Sequence, residues 1–270
     1  MLLLALFPAI SNGQTLQEIL KANAMEINPA DTTFNKDLVD ILASYRIIMV
    51  GEMHGTQEPS AFVSYITRQL LKSGKSVNLG LEIPYTQMAE FASSPSLKSL
   101  EQSFFFREGF KDGRNSKEWF NLIAAYIRNP SVSLFFFDVD PDAHLSARDS
   151  GMYSLVKRAI APQSQGITVL LSGNIHNRLL PFRDGKTLAC YLQTDFPAGI
   201  LSINHQFKFG AMRNYTGQGF GLHKVEPMPS AFSDVAFKSY FSLLKSEGGP
   251  YNAVFYTEEV RPARNLDVGK

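Results

Sequence analysis

The chain has 270 residues, 44% hydrophobic and 19% charged, enough apolar material for one substantial core and too much for a disordered chain. A formal net charge of +1, with no clustered Lys/Arg stripe, gives no electrostatic case for a nucleic-acid partner. The lone cysteine, Cys190, excludes an intramolecular disulfide and a thiolate metal cluster.

The chain opens with Met1 to Ile10, an apolar run too short to span a bilayer, followed by Ser11-Asn12-Gly13-Gln14. That order matches the hydrophobic core and cleavage region of a signal peptide. The basic residues that should precede it are missing, so either the start lies upstream or the run is a buried N-terminal segment. We expect residues 1–13 to be a signal peptide and residues 14–270 to form one exported domain, periplasmic or secreted. No other segment approaches the ~20 apolar residues of a membrane helix, so no transmembrane span is expected.

Past amphipathic stretches at Leu16 to Leu20 and Phe34 to Tyr45, the run Arg46-Ile47-Ile48-Met49-Val50 reads as the first strand and stops in Gly51-Glu52-Met53-His54-Gly55. Pro59 to Leu71 follows, with Phe62, Ile66 and Leu70 recurring every four positions, the pattern of a helix packing one face on a sheet. Lys72 to Lys75, with Gly74, supplies the stop. The second strand, Val77 to Leu81, ends at Glu82. About fifty residues then precede the third strand, more than a crossover helix and its loops require. Lys117 to Arg128, with Trp119, Leu122, Ile123 and Tyr126 at helical spacing, supplies the crossover. The part before it, including Phe104-Phe105-Phe106 and Asp112-Gly113-Arg114-Asn115-Ser116, reads as an insertion over the strand ends that can act as a lid.

The third strand, Leu134 to Phe137, ends at Asp138 and Asp140. A helix from Ser146 to Ile160 leads to the fourth, Ile167 to Leu171, which ends at Asn174 and His176. Ala198 to Ile203 and Ala253 to Tyr256 read as two further strands, and the glycine- and proline-rich stretch from Gly210 to Ser230 as loop. Near-continuous apolar runs separated by helical patterns indicate parallel strands buried on both faces. The fold expected is α/β, with a mostly parallel central sheet flanked by helices. In such sheets ligands bind outside the carboxyl ends of the strands, where all these polar groups fall.

Glu52 and His54 are two apart, so continued strand geometry puts both side chains on one side. An imidazole beside a carboxylate serves as a general base, or the pair binds a divalent metal. Glu82 is costly to bury unpaired, so it is a metal ligand, a second acid/base group or the ion-pair partner of Arg114 or Arg148. Asn174 and His176 repeat the spacing of the first motif. Two histidines with two carboxylates, namely Glu52, His54, Glu82 and His176, make a familiar ligand count for Mn, Co, Zn or Fe. Arg148 suits an anionic substrate group, and Asp149 the helix dipole. His144, His205 and His223 are weaker candidates. His-Glu-x-x-His and Gly-x-Ser-x-Gly motifs are absent, and Gln69 stands where a P-loop would need its first glycine.

In order along the chain, Gly51-Glu52-x-His54-Gly55-Thr56, Glu82, Asp112-Gly113-Arg114-x-Ser116, Arg148-Asp149-x-x-Met152, Gly173-Asn174-x-His176 and Tyr251 to Tyr256 resemble the superfamily that joins erythromycin esterases, ChaN-type haem-binding proteins and the Tiki/TraB proteins. The first motif has one residue between Glu and His, one fewer than in the macrolide esterases. The resemblance implies hydrolysis of an ester or peptide bond in a small-molecule or peptide substrate, by a histidine base or a bound divalent metal. Under it Glu52, His54, Glu82 and His176 are catalytic, and Asp112, Arg114, Arg148 and Asn174 contact substrate. It equally implies a different class of function, haem or iron binding without turnover, with Tyr85 and Phe104-Phe105-Phe106 near the pocket.

Overall fold

A computed structural model describes residues 15–109, 112–139, 145–160, 166–183, 185–217, 219–227, 230–244 and 248–266. The leader expected at residues 1–13, together with Asp140 and His144, lies outside the described residues. The chain runs through α1 (Leu16–Asn23), β1 (Met25–Glu26), α2 (Lys36–Leu42), β2 (Ile47–Glu52), α3 (Glu58–Lys72) and β3 (Val77–Pro84). The insertion follows as a 3-10 turn, Tyr85–Met88, and three short helices, α4 (Ala89–Ser93), α5 (Leu97–Gln102) and α6 (Phe104–Glu108). Next come α7 (Lys117–Tyr126), β4 (Val132–Asp138), α8 (Leu145–Ile160), β5 (Ile167–Gly173) and α9 (Leu188–Asp195). The chain closes with β6 (Ile200–Thr216), β7 (Gly219–Val225), β8 (Ser239–Leu243) and β9 (Ala253–Val260).

Nine strands form one sheet in the order β1-β8-β9-β6-β2-β5-β3-β4, with β7 paired to β6 outside that path. From β9 to β4 every neighbour is parallel, while β1, β7 and β8 pair antiparallel. The continuous apolar runs have the reason expected of them. Along β2, Ile48 and Val50 pack with Phe62 and Ile66 of α3 and Trp119 of α7. Ile47 and Met49 point the other way, onto Met152 and Val156 of α8 and Leu188 and Leu192 of α9. All four β2 side chains are fully buried, each contributing about 1.5–3 kcal/mol of transfer free energy at most.

This layering opens the site. From β2 and β3 the chain leaves toward the α3 and α7 face, whereas β4 and β5 feed α8 and α9 on the opposite face. Because β5 lies between β2 and β3, the connections diverge there and leave a crevice at the carboxyl ends.

One expectation is overturned. The stretch from Gly210 to Ser230 is largely not loop: β6 continues to Thr216 and β7 returns along it, from Thr216↔Gly219 to Gly210↔Val225. Glycines read as turn signals, but past Gly210 this hairpin extends from the edge of the β6–β9 pairing and is held by its own ladder, so composition misleads. The hairpin also serves the site, since Arg213 N–H donates to the Gly55 carbonyl at 2.9 Å and Asn214 Nδ2 to the His54 carbonyl at 3.0 Å.

The loops carrying His54 and Arg114 meet back to back. Gly55 has φ +89° and Gly113 φ +91°, and a Cβ on Gly113 would lie 2.3 Å from the Gly55 Cα. Both glycines are required by conformation and by space. Gly113→Ala should therefore cost about 2 kcal/mol or more, read as a lowered urea midpoint. An unchanged midpoint would show that these loops are not held in contact.

Candidate functional site

Glu82, at the end of β3, is fully buried, and each of its oxygens is held. Oε1 accepts from Arg114 Nη1 at 3.0 Å and Arg148 Nη2 at 2.8 Å; Oε2 accepts from the Gly173 N–H at 2.6 Å. Arg114 also donates to Asp112 through Nε at 2.8 Å and to Asp138 Oδ2 through Nη1 at 3.0 Å. Arg148 grips the same Asp138 through Nε at 2.9 Å and Nη2 at 2.7 Å. Burial works to raise the Glu82 carboxyl, but His176, Arg114 and His54 outweigh it and hold the group well below the usual carboxylate range. Around Arg114 burial opposes the charge, and Glu82 and Asp112 more than restore it.

On this ionic base stand two imidazoles with matched anchoring. His54 Nδ1 lies 2.6 Å from Glu52 Oε1, and His176 Nδ1 lies 2.8 Å from Asp149 Oδ1. An ionised carboxylate can only accept, so each Nδ1 carries hydrogen and each Nε2 is left free of that bond. Both Nε2 atoms face the same oxygen, Glu82 Oε1, at 3.7 Å, beyond hydrogen-bond reach and still close enough for strong attraction. Burial disfavours the His54 cation, yet Glu82 and Glu52 override it and push its pKa up to about 10. Glu52 is itself raised, chiefly by burial, and its Oε2 is enclosed without a hydrogen-bond partner among the described residues.

The sequence pairs thus converge. Glu52 and His54 meet through their two-residue spacing, and Asp112 and Arg114 come from the insertion. Asn174 contributes backbone: its N–H donates to the Glu52 carbonyl at 2.9 Å, tying β5 to β2, and its carbonyl accepts the Tyr251 hydroxyl at 2.9 Å. Two roles were missed. Asp138 bridges both arginines, and Asp149 anchors His176 while accepting the Leu188 N–H of α9 at 2.7 Å. The adjacency of Asp149 to Arg148 was the available signal. His205 is buried elsewhere, against Thr257, and burial lowers its pKa to about 3; His223 bonds within the hairpin. Phe105 and Phe106 are core residues, with Phe104 alone of the run exposed.

Of the four expected metal ligands, the two histidines keep Nε2 free, while Glu82 is engaged elsewhere. Both Glu82 oxygens are already occupied and two guanidiniums stand within 3.0 Å of Oε1, so their positive charge lies where a cation would have to sit. Among the described residues no three His, Cys, Asp or Glu side chains are arranged as a metal cage. Of the residues expected near a haem pocket, Phe105 and Phe106 are turned into the core, whereas Phe104 and Tyr85 are exposed.

Solved structures share this fold. The chain shares its fold with an erythromycin esterase. A mutant of that enzyme, EreC, in its open conformation, matches with a TM-score of 0.65 and 11% identity over 92% of this chain and 99% of the enzyme. A Bacillus cereus protein matches with a TM-score of 0.72 and 13% identity over 93% of this chain and 98% of its own. A succinoglycan biosynthesis protein matches at 0.70 and 10%, over the same shares. No family model and no curated protein matches the sequence. Among the described residues no helix is long and apolar enough to cross a membrane.

The raised His54 links the site to stability. The folded chain holds this proton more tightly than an unfolded imidazole near 6.5, so the stabilisation is full below that pH and is lost as pH rises through about 10. Thermal melts between pH 7 and 10.5 should show a steeper alkaline loss for the wild type than for His54→Gln. Parallel curves would mean that His54 is not charged at neutral pH.

Proposed function

We propose that the chain hydrolyses an ester or amide bond by acid–base catalysis between His54 and His176, without a metal. The observation that carries this reading is the pair of anchored imidazoles, each presenting Nε2 toward Glu82 Oε1 at 3.7 Å. Ester or amide hydrolysis needs a base for the attacking water and an acid for the carbonyl oxygen and leaving group. His176, with Nδ1–H fixed on Asp149, offers the Nε2 lone pair to water. His54, cationic at neutral pH, offers Nε2–H to the oxygen that becomes negative, then to the leaving atom. The proton taken by His176 restores the pair when it passes back to His54. Glu82 stabilises the imidazolium on either side.

Arg114 and Arg148 act through Glu82 on this reading, since their donors are directed at Glu82, Asp112 and Asp138. Fold likeness to an erythromycin esterase agrees with acyl-bond hydrolysis and leaves the substrate open between small esters and peptides. A reaction outside the cytoplasm is part of this reading, and the leader-like pattern of residues 1–13 supports it.

The test is turnover of a panel of p-nitrophenyl esters and short chromogenic peptides, with and without EDTA. Wild-type activity should survive the chelator, and His54→Gln and His176→Ala should each lower kcat/KM by about 10²–10⁴-fold. Folded variants that keep full activity, or wild type inert on every substrate, would sink the proposal. Asp149→Asn should lower kcat more than KM, because it disturbs the His176 tautomer and leaves the binding surface in place.

A further inference from the structure

A cavity of about 640 Å³, within the range of small-molecule sites, opens between α3 and the β8–β9 part of the sheet. No residue of the His54 centre lines it. Phe255, Thr257 and Glu259, alternate residues of β9, share one face and form its floor. Phe255 is fixed by stacking on Phe62 at 4.1 Å, and Thr257 Oγ1 by the buried His205 Nε2 at 2.9 Å. Glu58, Ala61, Ser64 and Arg68, spaced along one stripe of α3, form the wall.

The polar groups of this cleft are incompletely satisfied. Arg68 Nε and Ser239 Oγ are buried and have no hydrogen-bond partner among the described residues. Arg68 Nη2 donates to the carbonyls of Pro29 at 2.9 Å and Asp31 at 3.0 Å, and no carboxylate among the described residues pairs with the guanidinium. Elsewhere on the rim Arg261 is paired with Glu58 at 3.0 Å and Lys238 with Glu258 at 3.9 Å. Glu259 lines the cleft, exposed, with no ion pair among the described residues. Apart from the Tyr65 ring, over which the Arg68 guanidinium lies at 5.7 Å, the cleft therefore holds one cation and one anion without an oppositely charged partner among the described residues.

These two charges lie toward opposite ends. Arg68 is ten residues along α3 from Glu58, about 15 Å at 1.5 Å per residue, and Glu58 sits against Arg261, two residues beyond Glu259. A half-buried guanidinium with unused donors selects a carboxylate. Glu259, the one acid of the rim without an ion pair among the described residues, favours an ammonium. We propose that this cleft binds a zwitterionic peptide of about three residues, its carboxylate on Arg68 and Ser239 and its amino terminus toward Glu259.

Calorimetric titration of the full chain with L-Ala-Ala-Ala, its C-terminal amide and its N-acetyl derivative tests this. The free tripeptide should bind at one site per chain, and both derivatives should bind at least tenfold more weakly. Arg68→Gln should weaken the free tripeptide at least tenfold and abolish its advantage over the amide, while Glu259→Gln abolishes its advantage over the N-acetyl form. Absence of saturable binding at millimolar tripeptide overturns the proposal, as does binding that is unchanged in Arg68→Gln or equal for peptide and amide. Should Arg68→Gln fail to fold, the two derivatives on wild type decide the matter alone. Arg68 and Glu259 stand outside the His54 centre, so this result is independent of whether the chain is a hydrolase.

Discussion

The burial of Glu82 is the constraint on which the rest of the site depends. A carboxylate enclosed at the end of β3 is tolerable only with full compensation, and breaking such a pair costs about 3–5 kcal/mol. Compensation draws on distant parts of the chain: Arg114 from the insertion, 32 residues on, Arg148 from α8, 66 residues on, and the Gly173 N–H from β5, 91 residues on. One carboxylate thereby fixes where the insertion, α8 and the end of β5 stand. The chemistry follows from the same balance of charge. Glu52, Glu82, Asp112, Asp138 and Asp149 face two guanidiniums, Arg114 and Arg148, and the excess of negative charge falls on the imidazoles. A site of this sign holds protons, and His54 is the residue that shows it.

Side-chain geometry at this precision needs a backbone that cannot drift, and the late part of the chain provides it. The Gly55 carbonyl accepts from both Arg213 N–H, at 2.9 Å, and Ala263 N–H, at 2.8 Å. Residues 261–266 run on past β9, bridging Thr56 to Pro262 and Ser116 to Asn265. Two buried acids secure this strap, Glu58 to Arg261 at 3.0 Å and Glu118 to Arg264 at 2.6 Å. The loops of His54 and Arg114, sixty residues apart in sequence, are thus clamped by one segment. The β6–β7 hairpin closes the remaining side through Asn214.

Much of this was legible in the sequence because burial on both faces leaves a plain signature. The runs Ile47 to Val50, Val77 to Leu81 and Ile167 to Leu171 could be nothing but interior strands once their separating helices were recognised, and polar residues at their ends had to fall in the crevice. Glu82 was legible as an acid too costly to bury alone, with a metal, an acid–base role or a pair with Arg114 or Arg148 all open. Asp149 was not, because an acid in the first turns of a helix already has a sufficient local explanation in the dipole, and only α9 packing beside it reveals the bond to His176. The hairpin was illegible for a different reason. Its strands are half-exposed and glycine-rich, and their order comes from pairing with each other, as in Tyr215↔Phe220, which composition does not encode. Likewise β8 gave no separate signal, since Ser239 to Leu243 is short and gains its place from β9.

The two histidines look equivalent in spacing and in distance to Glu82, yet their anchors make them unequal. Glu52 is enclosed, and its bonded oxygen serves His54 alone while its other oxygen has no partner among the described residues. A buried carboxylate in that condition gains most from a cation beside it, because no other donor shares its charge. Asp149 is partly open to solvent and divides its Oδ1 between His176 and the Leu188 N–H. Asymmetry in the supporting carboxylates, rather than any difference between the imidazoles themselves, therefore favours the cation on His54, and on the proposed reading it gives that residue the part of the acid.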